Sequence, residues 1–510
     1  MPKETLKNQK ETNERRNLKM RKMFKTKRGI TLIALVVTIV VLLILAGVSI
    51  SLLLDENGII KKSKDARREY EQAKTNEQTD FDNVSDWIDD AVGKINWEKI
   101  LNDANKNPDK YKHSEQSNTN GDIGIGTDGK PVNLDLWTYK VINEKEITLG
   151  YFNGCNYTPG YQNSNIVNEK IQGKVPQYIK INGNDGFYAV TSMSGTFGGC
   201  TSLTTAPEIP SSVTTMQNTF SECTSLTTAP EIASGVTDMY RTFYSCTSLT
   251  TAPEIPSSVT IMQYTFSKCT SLTTAPEIPS SVTNMVNTFS DCTSLTTAPE
   301  IPSSVTNMVQ TFYGCTSLTT APEIAAGVTE MGYTFAKCTK LITAPKIPSS
   351  VTNMQYTFSK CTSLTTAPEI PSSVTNMVHT FSDCTSLTTA PEIPSGVTEM
   401  EYTFARCTKL ITAPKIPSSV IDMRGTFSEC TSLTTAPEIP SRVTDMEDTF
   451  FKCPKLKGNL TINANPTNYK WCLMHAATAD NANLIVSGSS TVLDEIIATK
   501  GTDSHITKAQ

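Results

Sequence analysis

Twelve cysteines, Cys200, Cys223, Cys246, Cys269, Cys292, Cys315, Cys338, Cys361, Cys384, Cys407, Cys430 and Cys453, recur at a constant interval of 23 residues. Thiols in such a row suggest three kinds of chemistry. Metal binding needs clusters such as C-x2-C, and no two cysteines here lie that close. Disulfides between stacked repeats are awkward, because strand spacing sets the Cβ atoms about 4.8 Å apart and a bridge needs roughly 3.5–4.5 Å. The remaining reading is a ladder of buried thiols that pack as small hydrophobes. Cys155 and Cys472 fall outside the period, and their pairing stays open. The four histidines, His113, His379, His475 and His505, are scattered, and no nucleophile elbow, phosphate loop or metal triad is present. No catalytic, cofactor-binding or metal-binding residues are read, and no enzyme is expected.

A fixed period of this length implies a solenoid in which each repeat is one coil. With cysteine as position 0, the unit reads C-T-S-L-T-T-A-P-E-I-P-S-S-V-T-x-M-x-x-T-F-x-x. Apolar residues fall at positions 0, 3, 6, 9, 13, 16 and 20. Proline at position 7, and usually at 10, excludes a helix across the first half of each unit. Short extended segments joined by turns remain, with LTTAPEI bent or cut short at its proline and V-T-x-M as the second stretch able to stack. Stacking places like residues in columns, one of methionines from Met193 and one of phenylalanines from Phe197. Eleven intervals at strand spacing give a rod of roughly 55 Å.

The run V-T-x-M-x-x-T-F-x-x-C-T-S-L-x-x-A resembles the BspA-type, or treponemal, leucine-rich repeat over residues 190–453. Thr before Phe and Pro-Glu-Ile-Pro in place of a more regular Ile-x-Ile-Pro depart from that pattern. The resemblance implies a leucine-rich-repeat-like, β-rich, right-handed coil. It also implies a bacterial surface protein that adheres to host molecules or other cells, with an extracellular protein or glycan as ligand.

Two sets of positions face solvent in this scheme. Position 8 is Glu in nine coils (Glu208, Glu231, Glu254, Glu277, Glu300, Glu323, Glu369, Glu392, Glu438) and Lys in two, Lys346 and Lys415. Stacked like charges repel, so this column must be well solvated; it reads as a solubilising face or as a strip for a cationic partner or Ca²⁺. Positions 15, 17, 18, 21 and 22 vary most. Tyr264, Tyr333, Tyr356 and Tyr402 at position 18 mark a candidate ligand face, with relaxed solvent-facing positions as the alternative. Residues 292–360 and 361–429 are near copies three coils long, so copy number is adjustable, which suits a device that reaches and binds.

Charge is uneven along the 510 residues. Residues 1–29 carry eleven Lys/Arg and three Glu, a net +8, which leaves −13 on the rest of a chain whose total is −5. A basic head on an acidic body argues against nucleic acid as a partner. Residues 30–54 contain no charged side chain. As a helix they would extend about 37 Å, enough for a hydrocarbon core of ~30 Å. The preceding Lys/Arg excess orients a single-pass span with its N-terminus in the cytoplasm and its C-terminus outside.

The junction Lys27-Arg28-Gly29 before Ile30-Thr31-Leu32-Ile33-Ala34-Leu35 resembles the processing site of type IV prepilins. The resemblance implies cleavage between Gly29 and Ile30 and methylation of the new N-terminus. Prepilin peptidase and other pilin-like subunits are then candidate partners. Ala34 stands where that family usually has Glu, which puts polymerisation in doubt. The organisation expected is a cytoplasmic leader (1–29), a transmembrane helix (30–54), an extracellular helical stalk (55–95), a linker (96–120), a small β-rich cap (121–189), the solenoid (190–453) and a C-terminal cap (454–510). The function expected is cell-surface adhesion through the solenoid, with a minor or tip pilin-like subunit carrying the repeats as payload as the alternative.

Overall fold

A computed structural model describes residues 96–111, 121–152 and 175–510. The leader, the Gly29–Ile30 junction, the apolar span 30–54, the stalk and Cys155 lie outside the described residues. Among the described residues no helix is long and apolar enough to cross a membrane.

The repeats stack as coils around one continuous core. Cysteine 0, Leu 3, Val 13, Met 16 and Phe 20 are buried throughout, and Ile 9 is buried in most coils. The phenylalanine column runs from Phe197 to Phe450, with neighbouring ring centroids 5.4–5.8 Å apart and planes within 9° of parallel. Centroids that far apart in near-parallel rings describe offset stacking, the favoured arrangement of aromatic quadrupoles.

Backbone pairing is sparser than a sheet and still systematic. Parallel contact between coils is a single bridged residue in each of two columns, position 5 (Thr228 with Thr251) and position 15 (Glu330 with Asn353), joined at the C-terminal end by one bridge at position 9 (Ile439 with Ile462). Proline at position 7 has no N–H to donate, so no strand grows out of the first bridge. The turn from position 16 to 22 pairs differently. There the N–H groups of positions 16, 18, 20 and 22 donate to carbonyls of the next coil, as in Met239 to Ile261 (2.9 Å), Arg241 to Gln263 (3.1 Å), Phe243 to Thr265 (2.9 Å) and Ser245 to Ser267 (2.8 Å).

Side chains finish the ladder. From Thr265 to Thr449 the fully buried Thr 19 hydroxyl lies within hydrogen-bond reach of two methionine carbonyls, as in Thr334 to Met331 and to Met308 of the coil before, both 2.8 Å. Thr in this place is therefore no idle departure from a small residue: the methionine carbonyls already accept a backbone N–H, as Met331 does from Thr334 at 3.1 Å, and the buried hydroxyl finds its own acceptor on them. Each repeat cysteine from Cys223 to Cys453 likewise lies 3.0–3.2 Å from the Phe carbonyl of the preceding coil, with the thiol as donor.

The ends are closed by different means. At the N-terminal end, strands β1 (Ile123–Gly126), β2 (Pro131–Val132), β3 (Trp137–Val141), β4 (Glu146–Phe152), β5 (Pro176–Lys180) and β6 (Tyr188–Ser192) form one sheet in the order β2-β1-β5-β6-β4-β3. Strand β6 ends at Ser192, which bridges Thr215 and so opens the position-15 column. Trp137 and Phe152 cover the first ring of the phenylalanine column, Phe197, at 5.9 and 5.7 Å. Buried Gln177 ties the cap to the first coil through Ser212 Oγ (2.7 Å) and the Ser211 N–H (2.9 Å).

Part of the segment expected to be a linker is helical: α1 spans Trp97–Lys106, and the Asn96 side chain caps it by accepting the Lys99 N–H at 2.9 Å. Trp97, Ile100, Leu101 and Ala104 pack on Ile123 and Ile125, and that burial outweighs the polar composition that suggested a loop. At the other end the coil pattern continues past 453. Asp445 bridges Asn468, and Trp471 and His475 repeat the backbone conformation of positions 18 and 22. Strands β7 (Gly458–Thr461), β8 (Leu484–Ser487) and β9 (Ile506–Lys508) then form a parallel sheet, and α2 (Leu493–Ala498) buries Leu493 and Ile496 over the core.

Candidate functional site

The variable face is built by backbone conformation. Positions 18 and 22 are left-handed in every coil, and most of these residues are not glycine, among them Tyr333 (φ 60°), Tyr356 (φ 55°), His379 (φ 53°) and Tyr402 (φ 49°) at position 18. A side chain in this region costs on the order of 1 kcal/mol or more and persists only when its surroundings over-determine it. Intercoil hydrogen bonds do so here: the Tyr356 N–H donates to Val378 (2.9 Å) and the Lys360 N–H to Ser382 (2.7 Å). The frame thus dictates direction and leaves residue type free. Glycines at Gly195, Gly199, Gly314 and Gly425 were the signal in the sequence for these two columns.

Three of the four candidate tyrosines come together, with a histidine between them. Tyr333 and Tyr356 stack at 4.4 Å, Tyr356 and His379 at 4.4 Å, and His379 and Tyr402 at 4.9 Å, with planes within 14°. All four are half-buried. The ladder ends at Gly425, where any side chain would run into the Tyr402 ring. Tyr264 stands apart: Asn287 and Gln310 separate it in the column, and it packs edge-on to Tyr240 at 5.9 Å with Arg241 4.9 Å from its ring.

Charged groups flank the ladder. Arg406 grips Asp383 through Nε (2.5 Å to Oδ1) and Nη2 (2.9 Å to Oδ2). Burial, with the nearby Arg406 guanidinium, holds the His379 imidazole below its ordinary pKa. Burial raises the phenols of Tyr333, Tyr356 and Tyr402. Neutral rings stacked face to face present their edges and polar atoms to solvent. The strip can hydrogen-bond a ligand and contact it edge-on, whereas the ring faces are already used.

The thiols are a different matter. Cys223 through Cys453 and Cys472 are free and buried. Burial pushes Cys246, Cys453 and Cys472 up to about 12 and the others well above the usual thiol range. Cys472 takes the threonine place of position 19 in the terminal coil, since Phe450 donates to it as Phe427 donates to Thr449. One correction concerns Cys200, which is disulfide-bonded and so is not a rung of the thiol ladder. It belongs to the first coil, where no preceding repeat supplies a phenylalanine carbonyl for its thiol. Among the described residues no three His, Cys, Asp or Glu side chains are grouped to hold a metal ion.

A stack of short coils with Leu, Val, Met and Phe columns inside and variable turns outside is a leucine-rich repeat solenoid. The model of the BspA type leucine rich repeat region matches residues 190–319, 240–365, 286–411 and 354–473, together more than half of the chain, and the chain belongs to that family. A leucine-rich repeat protein from Bacteroides ovatus has the same fold, at 20% identity and a TM-score of 0.51 over 74% of this chain and 99% of that one. A leucine rich cell surface protein from Faecalibacterium prausnitzii aligns at 20% identity and TM-score 0.45 over 72% and 97%. The pneumococcal vaccine antigen PcpA aligns at 15% and 0.45 over 73% and 96%. Comparison with curated proteins found no match.

Proposed function

We propose that this protein is a surface-displayed interaction rod that adheres to an extracellular protein or glycan on host or other cells through the outer face of its solenoid. The observation that carries the reading is the contrast between an unvarying core and two outward columns, at positions 18 and 22, whose backbone is constant and whose residues are not. A frame that holds varied side chains at regularly stacked points is a means of assembling a binding face coil by coil. Membership in the BspA-type family supports the same reading.

The apolar residues 30–54 supply a single-pass anchor with residues 55–510 outside. The junction of Gly29 and Ile30 supports a second reading, a minor or tip pilin-like subunit that carries the repeats as payload. Intact cells that make the full chain should attach to protein-coated surfaces or to each other more than cells lacking it, and equal attachment removes the adhesion reading. Fractionation with and without prepilin peptidase, followed by N-terminal sequencing, separates the two readings. Recovery with membranes supports the anchored form, and a chain that begins at Ile30 and appears in sheared filaments supports the pilin-like one.

A further inference from the structure

The position-8 column is exposed, and its charges follow a pattern over its last six members: Glu323, Lys346, Glu369, Glu392, Lys415, Glu438. Neither lysine is in an ion pair among the described residues. Each sits on the rim of a shallow hollow, Lys346 beside Ile324 and Pro348, and Lys415 beside Ile393 and Pro417. A third hollow, around Glu231 and Ile232, is rimmed by Glu208 and Glu254 and has no lysine. The same notch therefore exists in a purely acidic form and in two forms centred on a cation.

Spacing identifies what would fit. Coils about 4.8 Å apart place Lys346 and Lys415, three coils apart, at roughly 14 Å. An extended chain rises about 3.4 Å per residue, so residues four apart on one face are also about 14 Å apart. The residue between them lies at about 7 Å, level with the midpoint of Glu369 and Glu392. The flanking same-face residues reach Glu323 on one side and Glu438 on the other.

We propose that this column docks an extended protein segment that runs along the rod and reads basic, acidic, basic, acidic, basic at alternate positions, with its two acidic side chains at Lys346 and Lys415. Each exposed pair contributes little by itself. Charge order along the column sets register and partner choice, because only acidic residues four apart meet both lysines, and a segment shifted by two residues brings like charges together. The inference rests on the solenoid being a protein-binding rod and specifies one of its faces.

The test uses the full chain and two labelled peptides of equal composition, Lys-Ala-Asp-Ala-Lys-Ala-Asp-Ala-Lys and the reordered Lys-Ala-Lys-Ala-Asp-Ala-Asp-Ala-Lys, whose aspartates are two residues apart, in binding titrations at low salt. The first peptide should bind about tenfold more tightly than the second, a difference that fades as salt screens it. The double variant K346E/K415E carries the column's own commonest residue and is expected to fold. It should instead prefer a peptide with lysine at all five charged positions over both mixed ones. Absence of binding, equal binding of both peptides, or a preference that survives K346E/K415E overturns the proposal. If cells still attach in that case, the column loses its role and the rod keeps its adhesive one.

Discussion

Raising the pH above about 9 should unfold the solenoid over a narrow range. The thiols from Cys223 to Cys453 and Cys472 are free, buried and raised well above the ordinary thiol value, with Cys246 at about 12. In the unfolded chain they ionise near 8.5. A group whose folded pKa is raised contributes its stability fully below the unfolded pKa and loses it as pH rises toward the folded one. Each such thiol withdraws about 1.4 kcal/mol per pH unit, so twelve together withdraw on the order of 16 kcal/mol per unit. Whole domains are commonly stable by only about 5–15 kcal/mol. The loss should be complete within one or two units above about 8.5, beginning before tyrosine and lysine titrate. Circular dichroism and ultraviolet thiolate absorbance, followed together on the full chain, should change in one step. Thiolate signal growing near pH 8.5 in a protein that keeps its circular dichroism would show the thiols to be accessible and the ladder wrongly placed.

Replacing a single ring in the middle of the aromatic column should divide the rod. Phe312 is fully buried and stacks 5.8 Å from Phe289 and 5.7 Å from Phe335. Phe312→Ala removes a large side chain that coils on both sides pack against, at a cost of about 3–5 kcal/mol. A solenoid is held by nearest-neighbour interfaces, so the defect weakens two of them while leaving distant coils intact. Hydrogen exchange followed by mass spectrometry should show the coils flanking residue 312 exchanging first, with protection retained toward both caps. Phe450→Ala, at the last ring of the column, should loosen only the C-terminal end. Uniform loss of protection along the chain in Phe312→Ala would contradict a stack of locally coupled coils.

Most of the core could be read from the period. Proline at position 7 excluded helices, and the apolar positions at 0, 3, 13, 16 and 20 became the buried columns. The variable face was located but not explained, because left-handed backbone at residues such as Tyr333, Lys360 and Asp383 leaves no local mark in an L-amino-acid sequence. Only the occasional glycine in those columns betrayed it. His379 escaped notice for a related reason: it entered the aromatic ladder through column position, and the tyrosines had been grouped by residue type. Helix α1 was missed because its polar composition describes one face, while Trp97, Ile100, Leu101 and Ala104 describe the other. The thiols, expected to be inert packing, turned out to be donors to phenylalanine carbonyls, a contact that depends on the neighbouring coil and lies 26 residues away.

The central claim, that the outward columns of the rod carry adhesion, is tested most directly at the aromatic ladder. Asparagine already occupies position 18 at Asn218 and Asn287 with left-handed backbone, so it can replace Tyr333, Tyr356, His379 and Tyr402 without disturbing the coil. Attachment of intact cells displaying the full chain should then be compared with attachment of cells displaying the four-asparagine variant at equal surface amounts. A several-fold drop in attachment with thiol protection unchanged is the result this account predicts. Unchanged attachment, with the ladder gone and the fold intact, would contradict it.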